Sequence, residues 1–558
     1  MKKHHFIPFI ILLAVLTSCK TEMKSEVAQT ENKSAKTPFI WEGANIYFLL
    51  TDRFNDGDKS NNVNFDRIEE TAVLRGFEGG DIKGITEKIK DGYFTDLGIN
   101  AIWFTPVVEQ IHGSVDEGTG NTYGFHGYWA KDWTALDPNF GTYKDLEELV
   151  STAHQSGIRI IMDVVLNHTG PVTSIDPSWG DDWVRTGPAC TYQTYETTTA
   201  CTLVTNLPDI KTASEQEVEL PENLINKWRE EGRYEQEMQE LNDFFASSNL
   251  KKTPRNYIIK WLTDYIRELG IDAFRVDTAK HVEEDAWGVL RQEADRAFDQ
   301  FKNENPDKVM DSNSFFMLGE VYNYTINGGR NYDFGDKEVD YFSNGFDNLI
   351  NFQFKYDAQG DYEVMFSKYD SILHNQLRGK SVVNYATSHD DGDPYDKNRE
   401  KPYETGTKLL LTPGLSQIYY GDETARDLTI EGANGDATLR SFMNWDSIDS
   451  TETKDILTHW QKLGRFRRDH PAIGAGTHKM LSEAPYIFSR TYSENSLNDQ
   501  VVIGLDLSKG EKTILTGSVY KDGTQVRDAY SNSEATVENG KVKLNTDYTI
   551  VLLEEVKS

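Results

Sequence analysis

Eight short apolar stretches recur between about residue 45 and residue 470, and stretches of helical character separate them. In residues 143–154, for example, Leu146, Val150 and Ala153 recur at the spacing of one helix face. Strands that alternate with helices predict a parallel sheet, and eight such units predict an α/β fold of the (β/α)8 barrel type. The predicted strands are residues 46–50, 101–104, 159–165, 273–277, 315–320, 346–352, 382–387 and 417–420.

Two regions depart from this pattern. The longest interruption, residues 168–255, follows the third predicted strand and is polar, which predicts an inserted domain over the barrel mouth. The barrel would then comprise residues 39–167 and 256–471. Beyond it, short strands separated by Gly, Asn and Ser turns predict a C-terminal antiparallel β-sandwich over residues 472–558. The strands predicted there are residues 486–492, 501–507, 541–544 and 549–553.

The amino terminus resembles an export signal. Two lysines precede an apolar run at residues 6–16, which is too short to span a membrane. The run ends in Leu-Thr-Ser-Cys, as in bacterial lipoproteins, with residues 1–19 as the signal peptide and Cys19 as the lipidated residue. An ordinary signal peptide with an incidental cysteine is the alternative. Residues 20–38 are polar and predict a flexible tether. We therefore expect an exported protein, lipid-anchored to the outer membrane on its periplasmic or outer face.

The charge and the remaining cysteines restrict the partners further. The formal net charge is −32, and such an acidic surface repels the phosphates of nucleic acid. Cys190 and Cys201 have no histidine close by in the sequence, so they do not predict a metal site. In an exported chain they predict a disulfide instead. We expect the protein to be a monomer.

Three carboxylates, Asp277, Glu320 and Asp390, follow predicted strands. Taken singly, each is most simply a helix cap or a surface charge, but successive parallel strands of a barrel end at one mouth. Arg275 lies two residues before Asp277, so both side chains face the same way. We expect this guanidinium to lower the pKa of Asp277, and the apolar strand before Glu320 to raise the pKa of Glu320. A charged and a protonated carboxyl are what glycosidic bond cleavage requires.

Six segments, in order along the chain, resemble conserved regions of the α-amylase family, glycoside hydrolase family 13. One such motif is weak support, whereas six in order over residues 40–470 are specific. One departure is Ser388, which stands where the family usually has asparagine. The segments are residues 125–129 (FHGYW), 163–168 (DVVLNH), 207–209 (LPD), 274–281 (FRVDTAKH), 319–321 (GEV) and 389–390 (HD).

The resemblance implies a role for each matching residue. Asp277 would attack the anomeric carbon, Glu320 would protonate the leaving oxygen and later activate water, and Asp390 would stabilise the distorted sugar. Asp436 and Arg440 would anchor the next sugar, although a helical ion pair four residues apart explains them equally well. The residues implied to bind substrate are His126, Tyr128, His168, Arg275, Lys280, His389, Asp436 and Arg440.

The resemblance also implies calcium. Asn167, Asp209 and His281, the last through its backbone carbonyl, match a site that the family shares between the barrel and the inserted domain. Oxygen ligands from distant segments suit this ion. A second set resembles a calcium loop of cyclodextrin glucanotransferases, although Asp and Asn are also ordinary turn residues. That set is Asp56, Asp58, Asn61, Asn62, Gly79 and Asp81.

The predicted function is that of a retaining, endo-acting α-1,4-glucan hydrolase on starch-like chains or maltooligosaccharides, with a covalent glycosyl-Asp intermediate. A cyclodextrin-forming transglycosylase is the first alternative, and a neopullulanase or cyclomaltodextrinase is another. A glucan-binding lipoprotein without activity is the most distant one. The Leu-Pro-Asp segment at residues 207–209 favours α-amylases over neopullulanases. We expect hydrolysis, because no further domain of the kind that such transferases carry is predicted after the sandwich.

Overall fold

Eight parallel strands close into a barrel in the computed structural model, which describes residues 38–494 and 497–556. Neighbouring barrel strands follow the order β1-β8-β7-β6-β5-β4-β3-β2. Each strand coincides with a predicted one, so the predicted fold class is confirmed. The signal peptide, Cys19 and almost all of the tether lie outside the described residues. The barrel strands are β1 Asn45–Leu49, β2 Ala101–Phe104, β3 Arg159–Val164, β4 Ala273–Val276, β5 Phe316–Gly319, β6 Asn348–Asn351, β7 Ser381–Tyr385 and β8 Leu415–Tyr419.

Helices connect the barrel strands, and their ends follow from local sequence. In the second long helix, Thr142 caps the first turn and Asp145 bonds back to it, while Leu146 and Leu149 turn inwards. None of the helices in the described part of the chain is long and apolar enough to cross a membrane. The longer helices are α1 Ile82–Lys90, α2 Tyr143–Gln155, α3 Glu222–Glu230, α4 Tyr234–Ser248, α5 Pro254–Leu269, α6 Glu284–Glu304, α7 Tyr362–His374, α8 Pro402–Leu411 and α9 Thr451–Asp469.

The segment between β3 and α5 contains a short strand pair, Val184–Arg185 with Asp209–Ile210, and the helices α3 and α4. A disulfide joins Cys190 to Cys201, as expected. The segment is held to the barrel by aromatic packing, since the ring of Trp183 stacks on Trp261 of α5 at 6.3 Å between centroids. Burial of these large rings fixes the insertion over the ends of the barrel strands.

The C-terminal region forms two antiparallel sheets. One has six strands in the order β9-β10-β11-β16-β13-β14, and the other pairs β12 with β15. Residues of both sheets, such as Val502 and Val542, share one buried core, as in a sandwich. Of the eight strands, the sequence predicted four. The strands are β9 Thr477–Ser482, β10 Tyr486–Glu494, β11 Leu497–Leu505, β12 Gly510–Leu515, β13 Gln525–Asp528, β14 Ser533–Thr536, β15 Lys541–Thr546 and β16 Val551–Glu555.

Candidate active site

One guanidinium, that of Arg275, links three buried carboxylates at the carboxyl ends of the barrel strands. Its Nη1 donates to Asp163 Oδ1 at 2.9 Å and to Asp277 Oδ1 at 2.7 Å. Its Nη2 lies 3.0 Å from Glu320 Oε2. The structure therefore brings Asp277 and Glu320, the predicted nucleophile and general acid, to a single cation.

Strand register produces this cluster. On the adjacent parallel strands β3 and β4, Asp163 lies opposite Arg275. Asp277 and Glu320 directly follow β4 and β5, and their backbone amides still donate to carbonyls of the neighbouring strands, at 2.9 and 3.0 Å. The sequence predicts no role for Asp163. A carboxylate within a fully buried strand is, however, a signal of one, because an unpaired buried charge is costly.

Glu320 has the environment of a protonated carboxyl. Burial and the neighbouring charges of Asp277 and Asp390 raise its pKa to about 8, as expected in direction. The guanidinium of Arg275 and the backbone amide of Thr278, which donates to Glu320 Oε2 at 2.8 Å, only partly oppose this. At neutral pH the side chain carries a proton that it can donate.

Arg275 acts to lower the pKa of Asp277, as expected, but the expectation of a net lowering is wrong. Burial raises the pKa of Asp277 to about 6, and the charge of Asp163 adds to this effect. Arg275 opposes the shift without reversing it, because its single positive charge is shared with Asp163 and Glu320. Asp277 is nevertheless charged at neutral pH while Glu320 is not, so the two carboxyls differ as a nucleophile and an acid must.

Asp390 lies on the same mouth, after β7. Burial acts to raise its pKa, but His389, the Ser388 hydroxyl and the cations Arg275 and Arg440 outweigh burial and lower the pKa. Ser388 Oγ donates to Asp390 Oδ1 at 2.7 Å. The serine that replaces the family's usual asparagine therefore contacts the third carboxylate directly.

Aromatic and imidazole rings line the mouth beside these carboxylates. The ring of Tyr128 is stacked with the ring of His126, at 5.8 Å between centroids, and with that of His389, at 5.3 Å. Its hydroxyl donates to Asp163 Oδ2 at 2.8 Å. His168 Nε2 contacts the Tyr128 carbonyl at 3.1 Å. Burial lowers the pKa of both His168 and His389 to about 4, so these rings are neutral hydrogen-bonding groups.

Comparison with known proteins decides the family. The family described as "Alpha amylase, catalytic domain" matches residues 48–471, which is most of the chain. The chain belongs to the α-amylase family of glycoside hydrolases. It is 34% identical over 531 residues to the periplasmic α-amylase of Escherichia coli (strain K12), which covers 85% of this chain and 73% of the relative.

A second relative and a solved structure are also similar to this chain. The chain is 27% identical over 506 residues to a cyclomaltodextrin glucanotransferase of Thermoanaerobacterium thermosulfurigenes, with 86% of this chain and 62% of that protein covered. Its fold resembles the structure of an α-amylase from Geobacillus thermoleovorans complexed with acarbose, with a TM-score of 0.65, 21% identity, and 93% of this chain and 100% of that chain covered.

In this α-amylase-family barrel, Arg440 connects the mouth to a second charged group. Its Nε donates to the carbonyl of His389 at 2.9 Å, and its guanidinium pairs with Asp436. Arg75, which the sequence did not single out, lies 2.9 Å from the other Asp436 oxygen. The pair is therefore more than a local helical contact. Arg75 could not be found from spacing, because it is far from Asp436 along the chain.

Lys280 lies on another side of the mouth, between two tyrosines. Its Nζ donates to the carbonyl of Tyr322 at 3.1 Å and lies 3.4 Å from the hydroxyl of Tyr332. Burial lowers its pKa to about 8. The ring of Tyr322 is 42% exposed, two residues from Glu320, so it presents an aromatic face to an incoming molecule.

The loop residues of the second predicted calcium site fit a cation. Asn62 Nδ2 donates to Asp56 Oδ2 at 3.1 Å, and a Cβ on Gly79 would meet the Asn62 amide at 2.4 Å. Three buried oxygens, Asp56 Oδ1, Asn61 Oδ1 and Asn62 Oδ1, have no hydrogen-bond partner within the described residues. Buried oxygens of this kind require a donor or a cation, and calcium prefers carboxylate and amide oxygens.

Two further predicted ligands, Asp58 and Asp81, are already engaged by protein donors. Asp81 Oδ1 accepts from the amide of Gly84 at 2.6 Å, and Asp81 Oδ2 accepts from the amide of Asp58 at 2.7 Å. Asp58 Oδ1 accepts from Ser60. Asp58 and Asp81 therefore shape the loop, and the orphaned oxygens are those of Asp56, Asn61 and Asn62.

The residues of the predicted shared site, Asn167, Asp209 and His281, show no such orphaned buried oxygens. Asp209 Oδ2 lies 3.0 Å from Arg185 Nε, but the two form no hydrogen bond, since Arg185 Nε has no partner within the described residues. The ring of His281 contacts the carbonyl of Thr198 at 3.1 Å, whereas the ligand that the resemblance implies is the backbone carbonyl of His281. Calcium at this site therefore stays a prediction. Across residues 38–494 and 497–556, no group of three or more His, Cys, Asp or Glu side chains is arranged to hold a metal.

Proposed function

We propose that this α-amylase-family enzyme is a retaining, endo-acting α-1,4-glucan hydrolase on starch-like chains or maltooligosaccharides. The observation that carries the proposal is that Asp277 and Glu320 lie 2.7 and 3.0 Å from one guanidinium, that of Arg275, at the barrel mouth. The periplasmic α-amylase relative supports the same activity.

In the first step, a carboxylate oxygen of Asp277 attacks the anomeric carbon while Glu320 donates its proton to the glycosidic oxygen. The bond between that carbon and the glycosidic oxygen breaks, and the shortened glucan leaves with a new hydroxyl. The remaining sugar is bound covalently to Asp277. Arg275 holds both carboxyls, at 2.7 and 3.0 Å, in position for this step.

In the second step, Glu320, now a carboxylate, accepts a proton from water. The resulting oxygen attacks the anomeric carbon and releases Asp277, which restores both carboxyls and retains the α configuration. The negative charge of Asp390 stabilises the positive charge that develops on the sugar ring in both steps. Its lowered pKa keeps Asp390 charged throughout.

The ring of Tyr128 offers a flat apolar surface to the face of a glucose unit. The neutral imidazoles of His126, His168 and His389 offer hydrogen bonds to sugar hydroxyls without adding charge. These groups suit a neutral polyhydroxylated substrate.

Product analysis tests the proposal. The protein beginning after Cys19 is incubated with amylose, pullulan and cyclodextrin, with Glu320→Gln as the matched control. We expect linear maltooligosaccharides from amylose, with the new reducing ends initially α by NMR. Cyclic products would favour the glucanotransferase alternative, panose from pullulan the neopullulanase alternative, and β anomers or activity equal to that of Glu320→Gln would contradict the mechanism.

We also propose that a calcium ion binds the loop of residues 56–62, held by Asp56, Asn61 and Asn62. Chelator should then lower the melting temperature, and added Ca²⁺ should restore it. Asp56→Ala should remove this response. An unchanged melting temperature in chelator would contradict the proposal.

For the location of the protein, we propose export and lipid anchoring through Cys19. Export is supported by the periplasmic relative and by the disulfide of Cys190 and Cys201. Cys19→Ser should release the protein from the membrane fraction, and protease treatment of intact cells should show which face carries it. Equal membrane retention of Cys19→Ser would contradict the anchor.

A further inference from the structure

A cavity of about 520 Å³ lies between the outer helices of the barrel and the terminal sheets. Its lining comes from the first turns of α7 and α8, from α9, and from loops beside β11 and β16. The residues described above at the barrel mouth do not line it. A volume of about 300–1,000 Å³ is typical of sites that bind small ligands. The lining includes Asp361, Tyr403, Glu404, Lys408, His459 and Asp506.

Aromatic rings follow one another beside this cavity. The ring of Tyr403, which is 46% exposed, lies 5.2 Å from that of His459, and the ring of His459 lies 5.9 Å from that of Tyr530. Tyr548, which is 43% exposed, continues the row at 5.1 Å from Tyr530. A tyrosine at the surface offers an apolar face and a polar hydroxyl, which suit the face and the hydroxyls of a sugar ring.

Buried polar contacts hold these rings in place. His459 Nδ1 lies 2.7 Å from the hydroxyl of Tyr530, and His459 Nε2 lies 2.9 Å from the carbonyl of Tyr403. Lys408 Nζ lies 2.7 Å from Glu404 Oε1. Because His459 and Lys408 are both buried, the wall is built before a ligand arrives, and binding then costs little conformational entropy.

Two carboxylates of the lining keep free acceptor oxygens. The exposed side chains of Asp361 and Asp506 form no hydrogen bond and no ion pair within the part of the chain that the structure describes. These charges disfavour phosphates and other anions, and they also disfavour an apolar chain. Sugar hydroxyls donate to such oxygens without bringing charge. The lining therefore suits a neutral ligand with many hydroxyls.

A loop connects the cavity to the mouth. Tyr395, on the segment that follows Asp390, donates from its hydroxyl to Glu404 Oε1 at 2.9 Å. The backbone amide of Tyr395 donates to the carbonyl of Ala386, directly after β7, at 2.9 Å. A ligand in the cavity therefore lies next to the loop that carries the third carboxylate.

We propose that this cavity is a second α-glucan binding site, separate from the mouth, with Tyr403 as the platform beneath a glucose ring and Asp361 and Asp506 as acceptors for its hydroxyls. The choice of an α-glucan rests on the proposed function. A long chain held there stays beside the enzyme, which raises the effective concentration of its glycosidic bonds at the mouth.

Binding measured without turnover tests this proposal. Maltoheptaose is titrated into the Glu320→Gln protein by calorimetry, and we expect two sites per chain. Tyr403→Ala in the same protein should weaken one of them by about tenfold, because the platform is lost. Tyr143→Ala is the matched control, since it removes a tyrosine of similar exposure, 42%, from α2, and it should keep both sites.

Asp506→Asn provides a second variant. The φ of Asp506 is 53°, a conformation that asparagine adopts readily, so the fold and the melting temperature should be unchanged. We expect the same site to weaken by about threefold, because a charged acceptor is replaced by a neutral one.

One site per chain, or equal affinities in Tyr403→Ala and Tyr143→Ala, would overturn the proposal and leave the proposed hydrolysis standing. Two sites in a protein whose unchanged form releases no products from amylose would contradict the hydrolysis and support the second site.

Discussion

Two buried arginines in different regions of this molecule differ in the number of carboxylates that each one contacts. At the barrel mouth, Arg275 faces three carboxylates, those of Asp163, Asp277 and Glu320. Away from the mouth, Arg67 pairs with the single carboxylate of Asp137 at 2.8 Å, and both side chains are buried. The first cluster has excess negative charge, and the second is balanced.

This difference in charge explains why one carboxyl group at the barrel mouth stays protonated. A balanced pair leaves both groups charged and serves the fold. With too few cations, burial and mutual repulsion retain a proton on one carboxyl, and at the mouth that carboxyl is Glu320. The excess of carboxylates over cations at the mouth therefore keeps Glu320 protonated, as a general acid must be.

We expect the largest loss of activity when either of the two catalytic carboxyls, Asp277 or Glu320, is removed. Asp277→Asn and Glu320→Gln should each lower kcat on amylose by several orders of magnitude, since one removes the nucleophile and the other the proton donor. Binding of maltooligosaccharide, measured by calorimetry, should persist. Turnover near that of the unchanged enzyme in either variant would show that the cluster is structural, like the pair of Arg67 and Asp137.

A smaller change in activity should distinguish the cluster around Arg275 from the pair of Arg67 and Asp137. Asp163→Asn lowers the negative charge around Arg275, so the pKa of Glu320 should fall and the alkaline limit of activity should move to lower pH, with kcat reduced by about 10- to 100-fold. Asp137→Asn is the matched control in the balanced pair.

The control should lose stability and leave the pH limits of activity in place. If Asp137→Asn moves the alkaline limit as much as Asp163→Asn does, the pH dependence does not arise from the charge around Arg275.

The smallest effect concerns a third arrangement, in which one cation lies between two carboxylates. His470 Nδ1 lies 2.8 Å from Asp499 and Nε2 lies 2.7 Å from Glu554, where the last barrel helix meets the terminal sheet. Burial opposes the charged form, but these two carboxylates prevail and raise the pKa of His470 to about 9. Because the pKa is higher in the folded protein, the stabilisation is complete below about pH 6.5 and is lost as the pH rises through 9.

Denaturant unfolding at pH 6 and pH 9.5 measures this contribution. The unchanged protein should lose more stability over that range than His470→Gln does, by at most about 3 kcal/mol. An equal loss in both proteins would mean that the junction of the terminal sheet does not depend on the charge of His470.

The barrel could be predicted from sequence because its strands are short, buried runs of mostly apolar residues. All four residues of β4, from Ala273 to Val276, are buried. The terminal strands were harder to predict, since in Gln525–Asp528 buried and exposed positions alternate and two of the four residues are charged. Such short, half-polar strands form because tertiary packing selects them.

At the mouth, Asp277, Glu320 and Asp390 could be predicted because they follow strands and lie in motifs. The sharing of Arg275 could not be predicted, because it depends on the register that places Asp163 opposite it across two strands. The direction of the Asp277 pKa shift was wrong because burial, together with the charge of Asp163, outweighs the effect of Arg275. The proximity of Arg185 to Asp209 was missed because it depends on a two-residue strand pair.

If Asp277 is charged and Glu320 is protonated at the same pH, this difference sets the pH dependence of kcat/KM on a neutral maltooligosaccharide. We expect a bell-shaped profile, with an acid limit near the Asp277 pKa of about 6 and an alkaline limit near the Glu320 pKa of about 8. Rates that stay constant from pH 5 to pH 9, or that rise through pH 8, would contradict the account.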